Sequence, residues 1–308
     1  MKRNVDRLGP LGRYSFVSTR IARSVIGAYS TSFGLAARLL GHRHRDHVRN
    51  IYALVRVADE LVDGVAAEAG IAIDEQHRML DRLEAETESG MSLGYSSNPI
   101  IHAFSRTARA AGFADELTRP FFTSMRTDLQ TTSSGDSTVA AHGRVGFGRR
   151  DHADYVYGSA EVVGLMCLRV FARDESYSPE EERLLEHGAR SLGAAFQNVN
   201  FLRDLGDDTQ RLGRSYLTDG ATVDDRTQER WILVIREQIA AAAQTIPLLP
   251  GDARLAVLSA LRLFSALTDR LAQVPAAELP RRRVRVTGPD KAALVLRAMY
   301  EVRTGAKR

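Results

Sequence analysis

The sequence predicts an all-α fold, a bundle of many helices in one domain. Apolar residues recur at three- and four-residue spacing over most of the 308 residues, which is the period of a helix. No stretch sustains the alternation of apolar and polar residues that is typical of strands, so no strand is predicted. The breaks between helices have helices of similar character on both sides and do not indicate a domain linker. We therefore assign 15–303 to one domain, with flexible tails at 1–14 and 304–308.

The predicted helices follow one another at short intervals. The first covers 18–40 and has the small-residue stretch YSTSFGLAARLL in its middle. The second covers about 45–65, where apolar residues repeat at three and four and Gly64 is a typical helix end. Further helices are predicted at 74–89, 99–112, 114–130, 151–173, 179–206, 226–246, 251–274 and 289–303. The longest breaks lie at 131–150 and 274–289, and a third follows Gly213.

Composition limits the classes of function. The formal net charge is +4, and arginine supplies most of the positive charge. Guanidinium groups suit phosphate oxygens, which is consistent with a phosphorylated or anionic partner. A mixed-charge surface with a small excess of basic residues explains the charge equally well. The single cysteine excludes an internal disulfide and a cysteine-rich metal site. No apolar run reaches the length of a membrane span, and the N-terminus has no signal-peptide core. We expect a cytoplasmic protein that does not bind nucleic acid, with peripheral membrane contact left open.

An unusual polar pattern lies within SLGAAFQNVNFLRDLGDDTQRLGRSY (191–216). Asn200, Asp204 and Asp208 recur every fourth residue, so on a helix they would share one face. Apolar residues occupy the rest of the segment, which favours a buried helix. Unpaired buried carboxylates are costly. A positive group must therefore meet this face.

A second acidic pair, Asp59 and Asp63, lies on the helix predicted at 45–65. Carboxylates that face each other across two packed helices repel strongly in a medium of low dielectric. A divalent cation relieves this repulsion, and carboxylate and amide oxygens without His or Cys suit Mg²⁺, which is usually completed by water and substrate phosphates. Either pair taken alone is also explained as a solvated helix face.

Several segments together resemble the squalene/phytoene synthase family. DELVD at 59–63, preceded by YALVRVA, resembles its first Asp-rich motif, and QNVNFLRDLGDD at 197–208, followed by LGRSYL, its second. STSF (30–33), MRTDL (125–129) and YVYGSAEVVGLMCLRVF (155–171) fit in the same order. The sequences of these segments resemble bacterial phytoene synthases more than squalene synthases. Two departures are Glu161, where many relatives carry Gly, and Phe264, where Tyr is frequent.

The resemblance implies an isoprenoid-synthase-type helical bundle around a central apolar cavity, dependent on Mg²⁺, with Mn²⁺ as an alternative. The metal ligands that it implies are Asp59, Asp63, Asn200, Asp204 and Asp208. The catalytic residues that it implies are Asp59, Asp63, Asp204, Asp208, Tyr52 and Arg56. The substrate-binding residues that it implies are Tyr29, Ser30, Thr31, Ser32, Phe33, Tyr52, Arg56, Gln197, Asn200, Arg203, Arg214, Tyr216 and Arg283.

The activity that the resemblance implies is head-to-head condensation of two prenyl diphosphates. We expect two geranylgeranyl diphosphates to give phytoene through a cyclopropyl (prephytoene) diphosphate, with release of diphosphate and without NADPH, in carotenoid biosynthesis. One alternative is squalene or dehydrosqualene synthesis from farnesyl diphosphate. Another is a catalytically silent scaffold, which the presence of all five positions of the metal set disfavours. The oligomeric state is not predicted.

Overall fold

The computed structural model describes residues 8–133, 145–146, 149–205, 214–215, 217 and 223–305. Two predicted site residues, Asp208 and Tyr216, lie outside the described residues. The side chains of Thr31, Ser32 and Arg214 are likewise not described, although their backbones are.

Helices account for nearly all of the described chain, so the predicted fold class is confirmed. The helices are α1 (Pro10–Tyr29), α2 (Thr31–Leu39), α3 (His42–Val62), the short α4 (Val65–Glu68), α5 (Ile73–Leu93), α6 (Pro99–Ala111), α7 (Asp115–Ser133), α8 (Arg149–Val156), α9 (Val162–Ala172), α10 (Pro179–Arg203), α11 (Asp225–Thr245), α12 (Gly251–Leu271) and α13 (Gly288–Thr304). A π-helical turn (Tyr157–Glu161) joins α8 to α9, and 3₁₀ turns lie at Ile246–Leu248 and Ala276–Arg281.

Two differences concern the N-terminal region. Helix α1 begins at Pro10, so the predicted tail is wrong over 10–14; proline suits the first helical position because its missing N–H has no helical partner there anyway. The single helix predicted over 18–40 is two helices, because Ser30 is extended (φ −135°, ψ 119°) and its hydroxyl accepts a hydrogen bond from the N–H of Phe33 at 3.0 Å. A serine that caps in this way starts a new helix.

A two-residue parallel strand pair was not predicted. Strand β1 (Val145–Gly146) pairs with β2 (Arg214–Ser215), with Val145 opposite Arg214 and Gly146 opposite Ser215. Strands of two residues are too short to show a period of two in the sequence. The pair therefore leaves the all-α class unchanged.

The bundle is organised around α3 and α10. Helix α3 packs against α1, α6, α7 and α9, whereas α10 packs along α11 and against α9, α12 and the π turn. Helix α10 approaches the π turn closely at Gly193, where a Cβ atom would lie 2.5 Å from the carbonyl oxygen of Ala160. Within the described residues one helical stretch, Asp151–Ala172, is long and apolar enough to cross a membrane. A core helix of a soluble bundle has the same composition, and this one packs between α7 and α10.

Candidate active site

A cavity of about 1040 Å³ lies inside the bundle. Its walls come from α1–α4, α7–α13, the π turn, the first 3₁₀ turn and the segment 283–286 that follows the second 3₁₀ turn. This volume is at the upper end of those found for small-molecule sites. The cavity is therefore large enough for long ligands.

The wall formed by α3 changes from apolar to acidic along the helix. Val48, Tyr52, Arg56, Asp59 and Asp63 line the cavity in that order, and their three- and four-residue spacing puts them on one face. At 1.5 Å per residue the row is about 22 Å long. The cavity thus has an apolar part beside the start of α3 and an acidic part beside its end.

Helix α10 shows the same change. Leu185, Leu192 and Phe196 line the cavity first, and Asn200 and Asp204 follow near the end of the helix. The row from Leu185 to Asp204 is about 28 Å long. The structure thus places the acidic residues of α3 and α10 on one cavity, as expected if the two helices present opposed acidic faces.

Helix α10 is shorter than predicted, which changes the geometry of its acidic set. It ends at Arg203, and Asp204 is the C-cap with φ −104° and ψ 15°. The prediction that Asn200 and Asp204 lie within one continuous helix is therefore wrong, and Asp208 lies outside the described residues.

The two helices end in the same way. Asp63 is the C-cap of α3 and its N–H donates to the carbonyl of Asp59 at 2.8 Å; the N–H of Asp204 donates to the carbonyl of Asn200 at 2.8 Å. A helix C-terminus carries a partial negative charge. Two such termini therefore add to the negative potential of the carboxylates, which favours a cation at this part of the cavity.

The carboxylate of Asp59 shows how strongly this region disfavours unneutralised charge. Burial and the neighbouring charge of Asp63 raise the pKa of Asp59 to about 8, while Arg56 opposes the shift and Asp128 adds to it. A divalent cation relieves this repulsion, and a donor set made only of carboxylate and amide oxygens fits Mg²⁺. Among the residues that the structure describes, no three His, Cys, Asp or Glu side chains cluster as a ready metal site. A metal held here would draw further ligands from water or substrate.

Arginines surround the acidic residues. Arg56 pairs with Glu60, and its guanidinium lies 4.5 Å from the centroid of the Tyr29 ring. Asp204 accepts from Arg203 Nε at 3.0 Å and pairs with Arg283 Nε at 3.1 Å. The order of the sequence motifs gave only an approximate match for Arg283. In the structure Arg283 lies at the acidic end of the cavity. Within the described residues these arginines offer N–H groups for an anionic ligand.

The other predicted substrate-binding residues lie around the same cavity. Its lining includes Tyr29, Ser30, Phe33, Tyr52 and Gln197. The Ser30 hydroxyl already caps α2 by accepting from Phe33 N–H, so its first role is structural. The roles assigned to these residues stay predictions.

Sequence reasoning missed a buried carboxylate in the cavity wall. Asp128 on α7 is 2% exposed, and the hydroxyl of Tyr155 on α8 donates to both of its carboxylate oxygens at 3.0 and 2.8 Å. Both residues line the cavity. The segments MRTDL and YVYGSAEVVGLMCLRVF contain them, so the signal was present but no role was assigned. Arg285 and Lys291 also line the cavity and were not predicted.

Three phenylalanines form an aromatic wall. The rings of Phe196 and Phe264 stack at 3.8 Å between centroids, and Phe33 meets them edge-on at 5.4 and 5.9 Å. Phe264 therefore fills its position by ring packing, where a tyrosine would add a hydroxyl. Glu161, the other departure, pairs with Arg190 at 2.6 Å and is not among the residues that line the cavity.

Comparison with known proteins gives a consistent set of similarities. A family model described as squalene/phytoene synthase matches residues 26–220. The chain is 28% identical to a phytoene synthase of Arthrospira platensis, over 82% of this chain and 84% of that protein. It is 29% identical to a 15-cis-phytoene synthase of Paracoccus sp. (strain N81106 / MBIC 01143), over 79% and 78%. A crystal structure of a dehydrosqualene synthase in complex with ligand superposes with a TM-score of 0.73 at 22% identity, over 94% of this chain and 98% of that one.

Proposed function

The chain belongs to the squalene/phytoene synthase family, and we propose that it joins two geranylgeranyl diphosphates head to head to form phytoene for carotenoid biosynthesis. One observation carries this proposal: the acidic ends of α3 and α10 line one end of a long cavity whose remainder is mostly apolar. Such a cavity suits a ligand with a diphosphate head and a long hydrocarbon tail. The names of the two bacterial relatives support phytoene as the product.

The acidic and basic residues would bind the diphosphates. Asp59, Asp63, Asn200 and Asp204 offer the oxygens that would hold Mg²⁺. When bound, the metal supplies Lewis-acid stabilisation of the departing diphosphate. Guanidinium groups add charge-assisted hydrogen bonds to the same oxygens, and Arg56 is within reach because it lies one turn before Asp59 on the same face.

The apolar part of the cavity would protect the allylic cation that remains when diphosphate leaves. Water would quench this cation, so the reaction needs a dry chamber. The rings of Phe33, Phe196 and Phe264 line the cavity and would exclude water, and an aromatic face carries the negative quadrupole that favours a nearby cation. The double bond of the second chain would then attack the cation, and loss of a proton would close the ring of the cyclopropyl diphosphate. A second ionisation with release of the other diphosphate, rearrangement and loss of a second proton would give phytoene.

The chain length of the substrate depends on the depth of the apolar end of the cavity. Small residues line this end and leave room, among them Ala36, Ala37 and Ala256. This supports the twenty-carbon substrate. The alternative is farnesyl diphosphate, which would give a thirty-carbon product; it is favoured by the likeness in fold to a dehydrosqualene synthase.

A competition assay tests the proposal. Purified protein is incubated with equal concentrations of geranylgeranyl and farnesyl diphosphate and MgCl₂, with and without NADPH, and the hydrocarbons are identified by mass. We expect phytoene in both reactions and none when EDTA replaces MgCl₂. Only thirty-carbon products would establish the farnesyl alternative. No product from either substrate, with an intact fold by circular dichroism, would favour a catalytically silent scaffold.

A further inference from the structure

Helix α1 has one face in the core and one face in solvent. Its buried residues are Ser15, Ser18, Ala22 and Ile26. On the solvent side Arg13, Val17, Arg20 and Ile21 recur at three- and four-residue spacing, which puts them on one face. Arg23 is exposed beside them. We call these five residues the α1 outer face.

The α1 outer face exposes more apolar surface than a solvated helix needs. Val17 is 43% exposed and Ile21 37%. Leu8, just before the start of the helix, is 40% exposed and extends this apolar surface. A shallow hollow lined by Leu8, Pro10, Arg13, Tyr14 and Val17 lies at the same end. Single exposed apolar residues are normal, but a group on one helix marks an interaction site.

The charged side chains of α1 itself are all positive. From Arg7 to Arg45 the sequence contains no Asp or Glu. Among the residues that the structure describes, no carboxylate forms an ion pair with Arg13, Arg20 or Arg23. Other exposed arginines are paired: Arg78 with Glu75, for example. Within the part of the chain that the structure describes, the α1 outer face therefore presents positive charge without a paired carboxylate.

We propose that the α1 outer face docks on an anionic lipid bilayer. A helix that combines exposed apolar residues with arginines lies in the interface, with the apolar side chains inserted and the guanidinium groups at the lipid phosphates. A second copy of the chain fits less well, because a two-fold contact would place the arginines of one copy against those of the other. It would also need about 800 Å² from each partner.

The position of α1 gives this docking a consequence for the cavity. The helix ends at Tyr29, which is 54% exposed and lines the cavity together with Ile26. Tyr29 and Ile26 lie on the opposite side of α1 from Val17 and Arg20, so docking would place α1 between the cavity and the bilayer, with a separation of one helix diameter, ~10 Å. If the product is a long hydrocarbon, as proposed above, its path from the cavity to lipid would be short; this consequence rests on the proposed function, whereas the docking does not.

Flotation with lipid vesicles, without substrate, tests the docking. Full-length protein is mixed with vesicles of phosphatidylcholine alone or with added phosphatidylglycerol. We expect flotation only with the anionic vesicles, and less of it as NaCl is raised. The triple variant Arg13→Ala/Arg20→Ala/Arg23→Ala should lose about fivefold in partition coefficient for each arginine, roughly a hundredfold in all. Val17→Ser/Ile21→Ser should lower it by about tenfold.

A matched control separates location from net charge. Arg78→Ala/Arg82→Ala/Arg119→Ala removes the same charge from three arginines whose side chains are 63%, 67% and 66% exposed on α5 and α7. It should float almost as the wild type does. Equal loss in both triple variants, or equal flotation with neutral vesicles, would overturn the proposal. So would light scattering that shows a dimer which Val17→Ser/Ile21→Ser dissociates. Circular dichroism checks each fold, and turnover of detergent-dispersed substrate should be unchanged in the α1 triple variant.

Discussion

The acidic end of the cavity should lower the stability of the metal-free protein, and Asp59→Asn tests this. The pKa of Asp59 is about 8 in the folded chain against 3.8 without the fold. Between these two values the folded protein holds a proton on this carboxyl and the unfolded chain does not. The free energy of unfolding must therefore fall as the pH rises through this window.

The size of the effect follows from one bound proton. Each pH unit within the window costs about 1.4 kcal/mol, so from pH 5 to pH 7 the wild type should lose about 3 kcal/mol relative to the Asp59→Asn variant. At pH 7 the variant should be more stable by about 4 kcal/mol, and at pH 4 the two should be nearly equal. The amide has the shape of the protonated carboxyl, so packing should change little.

Urea unfolding in EDTA at several pH values measures this difference. Asp154→Asn, at an exposed carboxylate on α8, is the matched control for loss of an acid. The same Asp59 variant should have little activity with Mg²⁺, because the amide removes one negative charge from the metal site. A stability difference that does not grow from pH 5 to pH 7 would refute the account of Asp59 as a carboxyl held under repulsion.

Three further outcomes follow from the structure. Asp204→Ala should lower kcat roughly a thousandfold, with the fold intact by circular dichroism. The change removes an oxygen that would hold Mg²⁺ and takes the carboxylate partner from Arg203 and Arg283. Unchanged turnover would contradict a role of Asp204 in metal binding. Gly193→Ala should destabilise the protein by about 2 kcal/mol in urea unfolding, because the new Cβ would lie 2.5 Å from the carbonyl oxygen of Ala160. Gly27→Ala, which has open space around it, should instead stabilise the protein by about 0.5–1 kcal/mol. Equal effects of the two variants would refute the close approach of α10 to the π turn at Gly193. Tyr155→Phe should cost about 1–3 kcal/mol of stability, since a buried carboxylate loses its hydroxyl donor, and Tyr29→Phe, on the exposed end of α1, should not.

Periodicity located the long helices well because their buried faces are regular. The second predicted helix, 45–65, and the observed α3, His42–Val62, differ by three residues at each end. The errors occur where a capping residue determines the end of a helix. Ser30 divides one apolar pattern into two helices, and Asp204 ends α10 while the pattern of acidic residues continues in the sequence. Hydrogen bonds at helix ends involve a few atoms and leave no trace in the spacing of apolar residues.

The sequence by itself determined the all-α class and the two acidic sets, because helical period and carboxylate spacing are local properties of the chain. Only the tertiary structure decided that Asp59 and Asp204 share one cavity, that Asp128 is held in its wall by Tyr155, and that Arg283 pairs with Asp204. These relations join residues far apart in the chain. They depend on how α3, α7 and α10 pack, and packing is a property of the whole bundle rather than of any one segment.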